Sequence, residues 1–179
     1  SRFERELRIY DQKIASDIND SIPFPEYDLT EMIKAYDKII DQYPDDDLAD
    51  DAYFYKARAM QKLSNQDEAN EIYKLLVQKF PESEYYVEAN MSIGQYYFEH
   101  PKEENGKGYK LAEDAYRRVL YYRDHPQFVQ ALYHLGWCYY MQDRYEDAIA
   151  VFKYLVEEAN LNFDPAKMED FILEVNTYL

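Results

Sequence analysis

His100, His125 and His134, the acidic run Asp45-Asp46-Asp47 with Asp50 and Asp51, the tripeptide Gly106-Lys107-Gly108 and the single thiol of Cys138 are the residues whose types could support chemistry in this 179-residue chain. Each suggests one kind of site, and each spacing argues against it. Zinc needs paired ligands, as in HExxH or closely spaced Cys and His. Here the histidines are isolated, and His100 and His125 each stand directly before a proline. A calcium loop needs a central glycine and a closing glutamate, which the aspartate run lacks; carboxylates there complement the positive end of a helix instead. A phosphate loop needs GxxxxGK[ST] after a strand, and residues 106–108 offer neither. No GxSxG elbow and no partnered Cys–His pattern is readable, and 36 acidic residues leave no two distinguishable as an acid–base pair. Asn90-Met91-Ser92 is a formal glycosylation sequon, but it falls inside a helical pattern. The expectation is a protein that is not an enzyme, with no catalytic residues, metal or cofactor.

Composition narrows the partners. Twenty basic residues against 36 acidic ones leave a net charge of −16, which repels a phosphate backbone and an anionic bilayer, so neither nucleic acid nor a membrane surface is expected. No apolar run approaches the roughly 18 residues of a membrane span. An apolar fraction of 47% is enough for a real core, and the length suits one domain. The lone cysteine excludes an internal disulfide and says little about compartment. No signal peptide is visible and the first residue is Ser1, so a processed or excised piece is expected.

The elements that must position any site are helices. Only four glycines occur, too few for a fold of tight hairpins. Pro44, Pro81, Pro126 and Pro165 fall between apolar patterns at spacings of 37, 45 and 39 residues. Apolar residues recur every three or four positions, as at Phe3, Leu7, Tyr10, Ile14 and Ile18. Nine helices are predicted, near 2–19, 29–43, 48–63, 66–79, 84–99, 110–123, 127–141, 144–158 and 165–178. Asp28 with Glu31, Asn65 with Glu68, and Asp143 with Glu146 have capping-box spacing, and Asp164-Pro165 opens the last helix. Most connections are short, making successive helices antiparallel neighbours. The exceptions are 20–27 and the polar loop 100–109.

Three segments share one frame: 67–81, 111–124 and 146–160. Each has alanine, an aromatic four residues later and an aliphatic three after that: Ala69, Tyr73, Leu76; Ala112, Tyr116, Val119; Ala148, Phe152, Leu155. In the preceding helices Ala57, Gly94 and Gly136 align, each followed three residues later by Met60, Tyr97 or Tyr139. Two closely crossing helices need small residues at the contact and a large one beside it, and a pair with one apolar stripe must stack on another pair. The pattern resembles the tetratricopeptide repeat (TPR) family over roughly 30–160. The unit at 129–160 matches best; the unit at 50 has Lys56 where an aliphatic is usual; the unit at 87 has Asn90 at its first large framework position. The resemblance implies an all-α fold, a right-handed α-α superhelix of stacked antiparallel helix pairs. It divides the single domain 1–179 into N-terminal helices with a partial repeat (1–49), repeats at 50–86, 87–128 and 129–160, and a capping helix at 164–179. The linking motifs QYPDDDLADDA and KFPESEYYVEA are similar to those of bacterial envelope TPR proteins, including lipoproteins of the outer-membrane β-barrel assembly machine and periplasmic coordinators of constriction. That likeness favours a periplasmic or envelope-associated setting without excluding the cytoplasm.

The resemblance also implies a concave groove lined by the first helix of each unit. Its positions here are Asp51, Phe54, Tyr55, Arg58, Gln61 and Lys62; Glu88, Met91, Ser92, Gln95, Phe98 and Glu99; and Gln130, Tyr133, His134, Trp137, Tyr140 and Met141. Phe54, Tyr55, Arg58, Met91, Gln95, Phe98, Tyr133, Trp137, Tyr140 and Met141 form the candidate partner-binding surface. A carboxylate clamp of Lys and Asn is disfavoured, because no Asn occupies these positions. The expected occupant is an extended or helical peptide held by aromatic contacts, with Arg58 as polar anchor and basic flanks favoured by the surrounding acidity. An aromatic stripe at helical spacing is commonly core, so Trp137 covered by a neighbouring helix is the competing arrangement. Two other functions compete with a protein–protein interaction scaffold. One is a structural segment of a longer TPR array that self-associates as a homo-oligomer or assembles a complex, which light scattering would detect. The other is a small helical metal-dependent enzyme, which metal-dependent thermal stabilisation would reveal.

Overall fold

The computed structural model describes residues 29–44, 46 and 49–162. The expected helices at 2–19 and 165–178, the link 20–27 and the caps at Asp28 and Asp164 lie outside the described residues. Within them there are eight helical segments and no strand. Seven are full helices: α1 (Leu29–Gln42), α2 (Ala49–Lys62), α3 (Gln66–Lys79), α4 (Tyr86–Glu99), α5 (Gly108–Val119), α6 (Phe128–Tyr140) and α7 (Tyr145–Asn162). The eighth, Glu103–Gly106, is a single turn whose Glu104 and Asn105 have left-handed backbone angles. It occupies the predicted polar insertion. Gly108 then brings α5 directly beneath α4, because a Cβ there would stand 2.5 Å from the His100 carbonyl oxygen.

Each helix packs chiefly on its neighbours in sequence, most closely within α2–α3, α4–α5 and α6–α7. The small-and-aromatic frame explains this directly. A Cβ added to Gly94 would fall 2.5 Å from the Tyr116 ring, and one added to Gly136 would fall 2.3 Å from the Phe152 ring. Each glycine thus admits the aromatic of the following helix against its backbone. We expect Gly136→Ala to lower stability by about 1–2 kcal/mol, overpacking outweighing the gain in helix propensity. A urea titration that finds the variant as stable as the parent would show that the Phe152 ring is free to retreat.

Acidic residues open the helices, with Asp50 and Asp51 on α2, Asp67 and Glu68 on α3, and Glu146 and Asp147 on α7. The Asn65 capping box takes a different form from that expected. Its side chain makes no cap to the backbone and instead donates to Glu68 Oε2 at 2.7 Å. Helix α5 ends at Val119, four residues before the predicted boundary. Beyond it Tyr121 is 88% exposed, so a further turn would bury nothing. The two departures from the repeat frame are also accommodated. Lys56 Nζ pairs with Asp37 Oδ1 at 2.6 Å on α1. Asn90, fully buried, donates to the Tyr86 carbonyl at 2.8 Å and accepts from Arg118 at 3.4 Å.

Polar bonds one repeat apart in sequence tie the stack together. Tyr85 donates to Asp51, Tyr96 donates to Asp67 at 2.8 Å, and Arg123 pairs with Glu158. The largest such node is Glu113 on α5, whose side chain is fully buried. Its Oε1 accepts from Lys110 at 2.8 Å and Arg117 at 3.4 Å, and its Oε2 accepts from Gln142 at 3.1 Å and Arg144 at 3.0 Å.

Candidate functional site

The predicted groove residues divide into three places. Phe54 and Met91 are buried and line a cavity of about 280 Å³, together with Arg58 and Gln95. First-helix positions of α2, α4 and α6 supply most of this cavity. Phe54 stacks on Tyr85 with ring centroids 4.2 Å apart, and the Arg58 guanidinium lies 5.8 Å from the Phe54 centroid.

Tyr133, Trp137 and Tyr140 on α6, with Met141 just beyond its end, form a second place outside the cavity. Tyr133 and Trp137 are half-buried, while Tyr140 and Met141 are exposed. Trp137 meets Tyr133 at 6.1 Å, Tyr140 at 5.6 Å and Phe152 at 5.7 Å, all edge to face. The array continues to Tyr145, 5.4 Å from Tyr140. It is a shelf of rings backed by the core through Phe152.

Tyr55 and Phe98 go elsewhere. Tyr55 stacks on Tyr36 of α1 at 6.4 Å, and Phe98 lies edge to face with Tyr109 of α5 at 5.5 Å. Neither lines the cavity.

Three cavity residues were outside the predicted groove positions: Tyr73, Tyr116 and Gln127. The two tyrosines belong to second helices and were assigned wholly to the framework. They fill that role, yet both also line the cavity. Tyr73 donates to Gln61 Oε1 at 2.9 Å, and burial pushes its hydroxyl up to about 12. Gln127 directly precedes α6, so helical spacing gave no signal for it.

The chemistry-bearing residues have structural places. His100 stacks on Tyr96 at 4.5 Å, and its Nδ1 lies 2.8 Å from the Tyr96 carbonyl oxygen. His134 stacks on Tyr116 at 5.1 Å, and burial moves its imidazole below the usual range, favouring the neutral ring. His125 Nδ1 accepts from the Gln127 backbone N–H at 3.2 Å. The Cys138 thiol is buried and pushed up to about 12, mainly by that burial, so it is no thiolate at neutral pH. Among the described residues, no three His, Cys, Asp or Glu side chains are grouped to hold a metal ion, and no helix is long and apolar enough to cross a membrane.

Comparison with known proteins agrees with this architecture. A tetratricopeptide repeat model matches residues 102–163 and another matches 51–83, together just over half of the chain. No curated protein sequence matches. Among solved structures, one described as a crystal structure of MamA protein superposes with a TM-score of 0.58 at 18% identity, covering 79% of this chain and 68% of that one. A crystal structure of MamA gives a TM-score of 0.37 at 18% identity, covering 74% of this chain and 90% of that one, a score too low to bear on the fold. At this identity the first likeness speaks to the fold alone.

Proposed function

Because this chain belongs to the tetratricopeptide repeat family, we propose that it is a non-catalytic scaffold whose first-helix face holds an extended or helical segment of a protein partner. The observation that carries the reading is the ring shelf on α6. Tyr133, Trp137 and Tyr140 present edges and faces that are neither sealed in the core nor fully solvated, beside a cavity lined from the neighbouring repeats. Large, rigid, amphipathic side chains of this kind dominate binding energy at protein interfaces. The repeat units at 50–86, 87–128 and 129–160 would each contribute one helix to that face. The net charge of −16 favours partners with basic segments and speeds their encounter. As part of the same proposal, the likeness of the linking motifs to envelope TPR proteins directs the search for the partner to envelope assembly.

The test is a displayed random-peptide library selected on the parent protein, with affinities of the selected peptides measured by fluorescence polarisation. We expect Trp137→Ala to weaken them at least about thirtyfold, the scale of an interface hot spot. Tyr133→Ala should weaken them less, and circular dichroism should show both variants folded. Selected peptides that bind the two variants as tightly as the parent would remove the shelf from the interface.

A further inference from the structure

Four of the large apolar side chains that the fold leaves exposed gather around the turn from α6 to α7. Tyr140 is 38% exposed, Met141 44%, Tyr145 50% and Ile149 37%. They adjoin the ring shelf. Tyr140 meets Trp137 on one side at 5.6 Å and Tyr145 on the other at 5.4 Å, both edge to face. Tyr145, Ile149 and Phe152 stand at i, i+4 and i+7 of α7, on one stripe of that helix. The Phe152 ring meets Trp137 at 5.7 Å. Ile149 therefore lies between two residues of α7 that both touch rings of α6. Apolar side chains exposed singly are ordinary, but a contiguous patch of them marks a binding surface.

The chain around the patch is acidic. Residues 141–152 carry Asp143, Glu146 and Asp147 against a single base, Arg144. Arg144 is already bonded to Asp147 at 2.7 Å and to Glu113 at 3.0 Å. Glu146 is exposed and has no partner among the described residues. An apolar centre with carboxylates at its rim complements a segment that has apolar residues in the middle and Lys or Arg beside them. A second copy of this chain would set the same carboxylates against one another.

The surface also selects the form of the segment. Shelf and patch are built on helices, whose backbone groups bond within each helix, and there is no strand among the described residues. An extended segment finds no ladder for its main chain here, whereas a helix arrives with its own backbone satisfied. Successive rings from Tyr133 through Trp137 and Tyr140 to Tyr145 stand 6.1, 5.6 and 5.4 Å apart, close to the roughly 5.4 Å pitch of an α-helix.

We propose that the patch at the α6–α7 turn docks a basic amphipathic helix of a partner protein. Its apolar stripe lies on Tyr140, Tyr145 and Ile149, and its Lys or Arg residues stand beside Asp143 and Glu146. This rests on the shelf reading above and deepens it, by naming the partner's form and charge and carrying the surface onto α7.

The probe is a synthetic helix of about five turns made of leucine, lysine and alanine, with leucines recurring at helical spacing. A scrambled peptide of the same composition and one with glutamate for lysine serve as comparisons. Fluorescence polarisation should show the leucine–lysine helix binding at least about tenfold more tightly than the scrambled peptide, and the glutamate peptide not binding. Ile149→Glu should weaken the helix about tenfold, because it sets a carboxylate within the apolar stripe. Glu146→Lys should weaken it about threefold and flatten its salt dependence. Tyr43→Ala, an exposed ring just beyond α1, should change nothing. Equal binding of the scrambled peptide, or indifference to Ile149→Glu, would overturn the proposal. In the free protein a soluble gadolinium chelate should broaden the Met141 and Ile149 methyl signals; protected methyls would mean that the chain itself covers the patch, which overturns it too. So would a dimer in light scattering that Ile149→Glu abolishes, since the patch would then belong to a second copy. Library-selected peptides that lose affinity on Trp137→Ala but keep it on Ile149→Glu would sink this inference and leave the shelf reading standing.

Discussion

Truncating Phe152 to alanine is expected to lower stability by about 3–5 kcal/mol, the largest effect of any single substitution considered for this chain. The Phe152 side chain is buried at 4% exposure, and its ring is the body that Gly136 makes room for. Removing it leaves a void between α6 and α7 that a glycine cannot fill from the other side. The ring also supports Trp137 from below at 5.7 Å. Trp137 is the chain's single tryptophan, so its fluorescence reports the surroundings of this one ring. Urea titration of Phe152→Ala should therefore show a lower midpoint and, before unfolding, red-shifted emission. Phe152→Leu should lose roughly half as much, because more of the volume is retained. A Phe152→Ala protein with the parent's midpoint and emission would show that α6 and α7 do not depend on this contact.

The second large effect belongs to Glu113. Replacing it by alanine strips four donors of a shared acceptor, and the expected loss is about 2–3 kcal/mol. It falls short of the fully buried case because the abandoned Lys110, Arg117 and Arg144 side chains are 48%, 57% and 41% exposed and regain water. The same carboxylate makes stability depend on pH. Burial alone would raise its pKa, but the bonds from Lys110 and Gln142 and the charges of Lys110 and Arg144 outweigh that and hold it below 4.5. A carboxyl depressed on folding contributes stability that is present above its unfolded value and lost as pH falls through the folded one. The difference in urea midpoint between the parent and Glu113→Gln should thus be full at pH 7 and shrink below about pH 4.5. A penalty that is constant from pH 7 to pH 3 would mean that the charge of Glu113 plays no part.

Both residues show what a one-dimensional reading can and cannot recover. Phe152 was legible. Its spacing from Ala148 and Leu155, repeated at Tyr73 and Tyr116, specifies a helix that presents an aromatic to a small residue in the helix before it. That logic yielded the all-helical stack, the pairing of neighbours and the placement of Gly94 and Gly136. Glu113 was not legible. In LAEDAYRRV it resembles any surface glutamate, and the partners that bury it, Gln142 and Arg144, lie 29 and 31 residues further on. Lys56 and Asn90 stood out only as exceptions, until Asp37 and Tyr86 supplied their partners.

The candidate surface divides in the same way. Helical spacing placed Trp137, Tyr133 and Tyr140 on one side of α6, where they form the shelf. The same spacing extended the groove to Tyr55 and Phe98, which local aromatic partners draw away. It could not anticipate that Tyr73 and Tyr116 would serve the framework and line the cavity at once, because side-chain reach does not follow from backbone period.

The sequence-neighbour packing of these helices has a kinetic consequence. Contacts that join mainly consecutive elements close short loops, and chains of low contact order fold in microseconds to milliseconds. Each hairpin can seat on its predecessor as it leaves the ribosome, without waiting for distant segments. Opening under load should likewise proceed from the ends inward, one hairpin at a time.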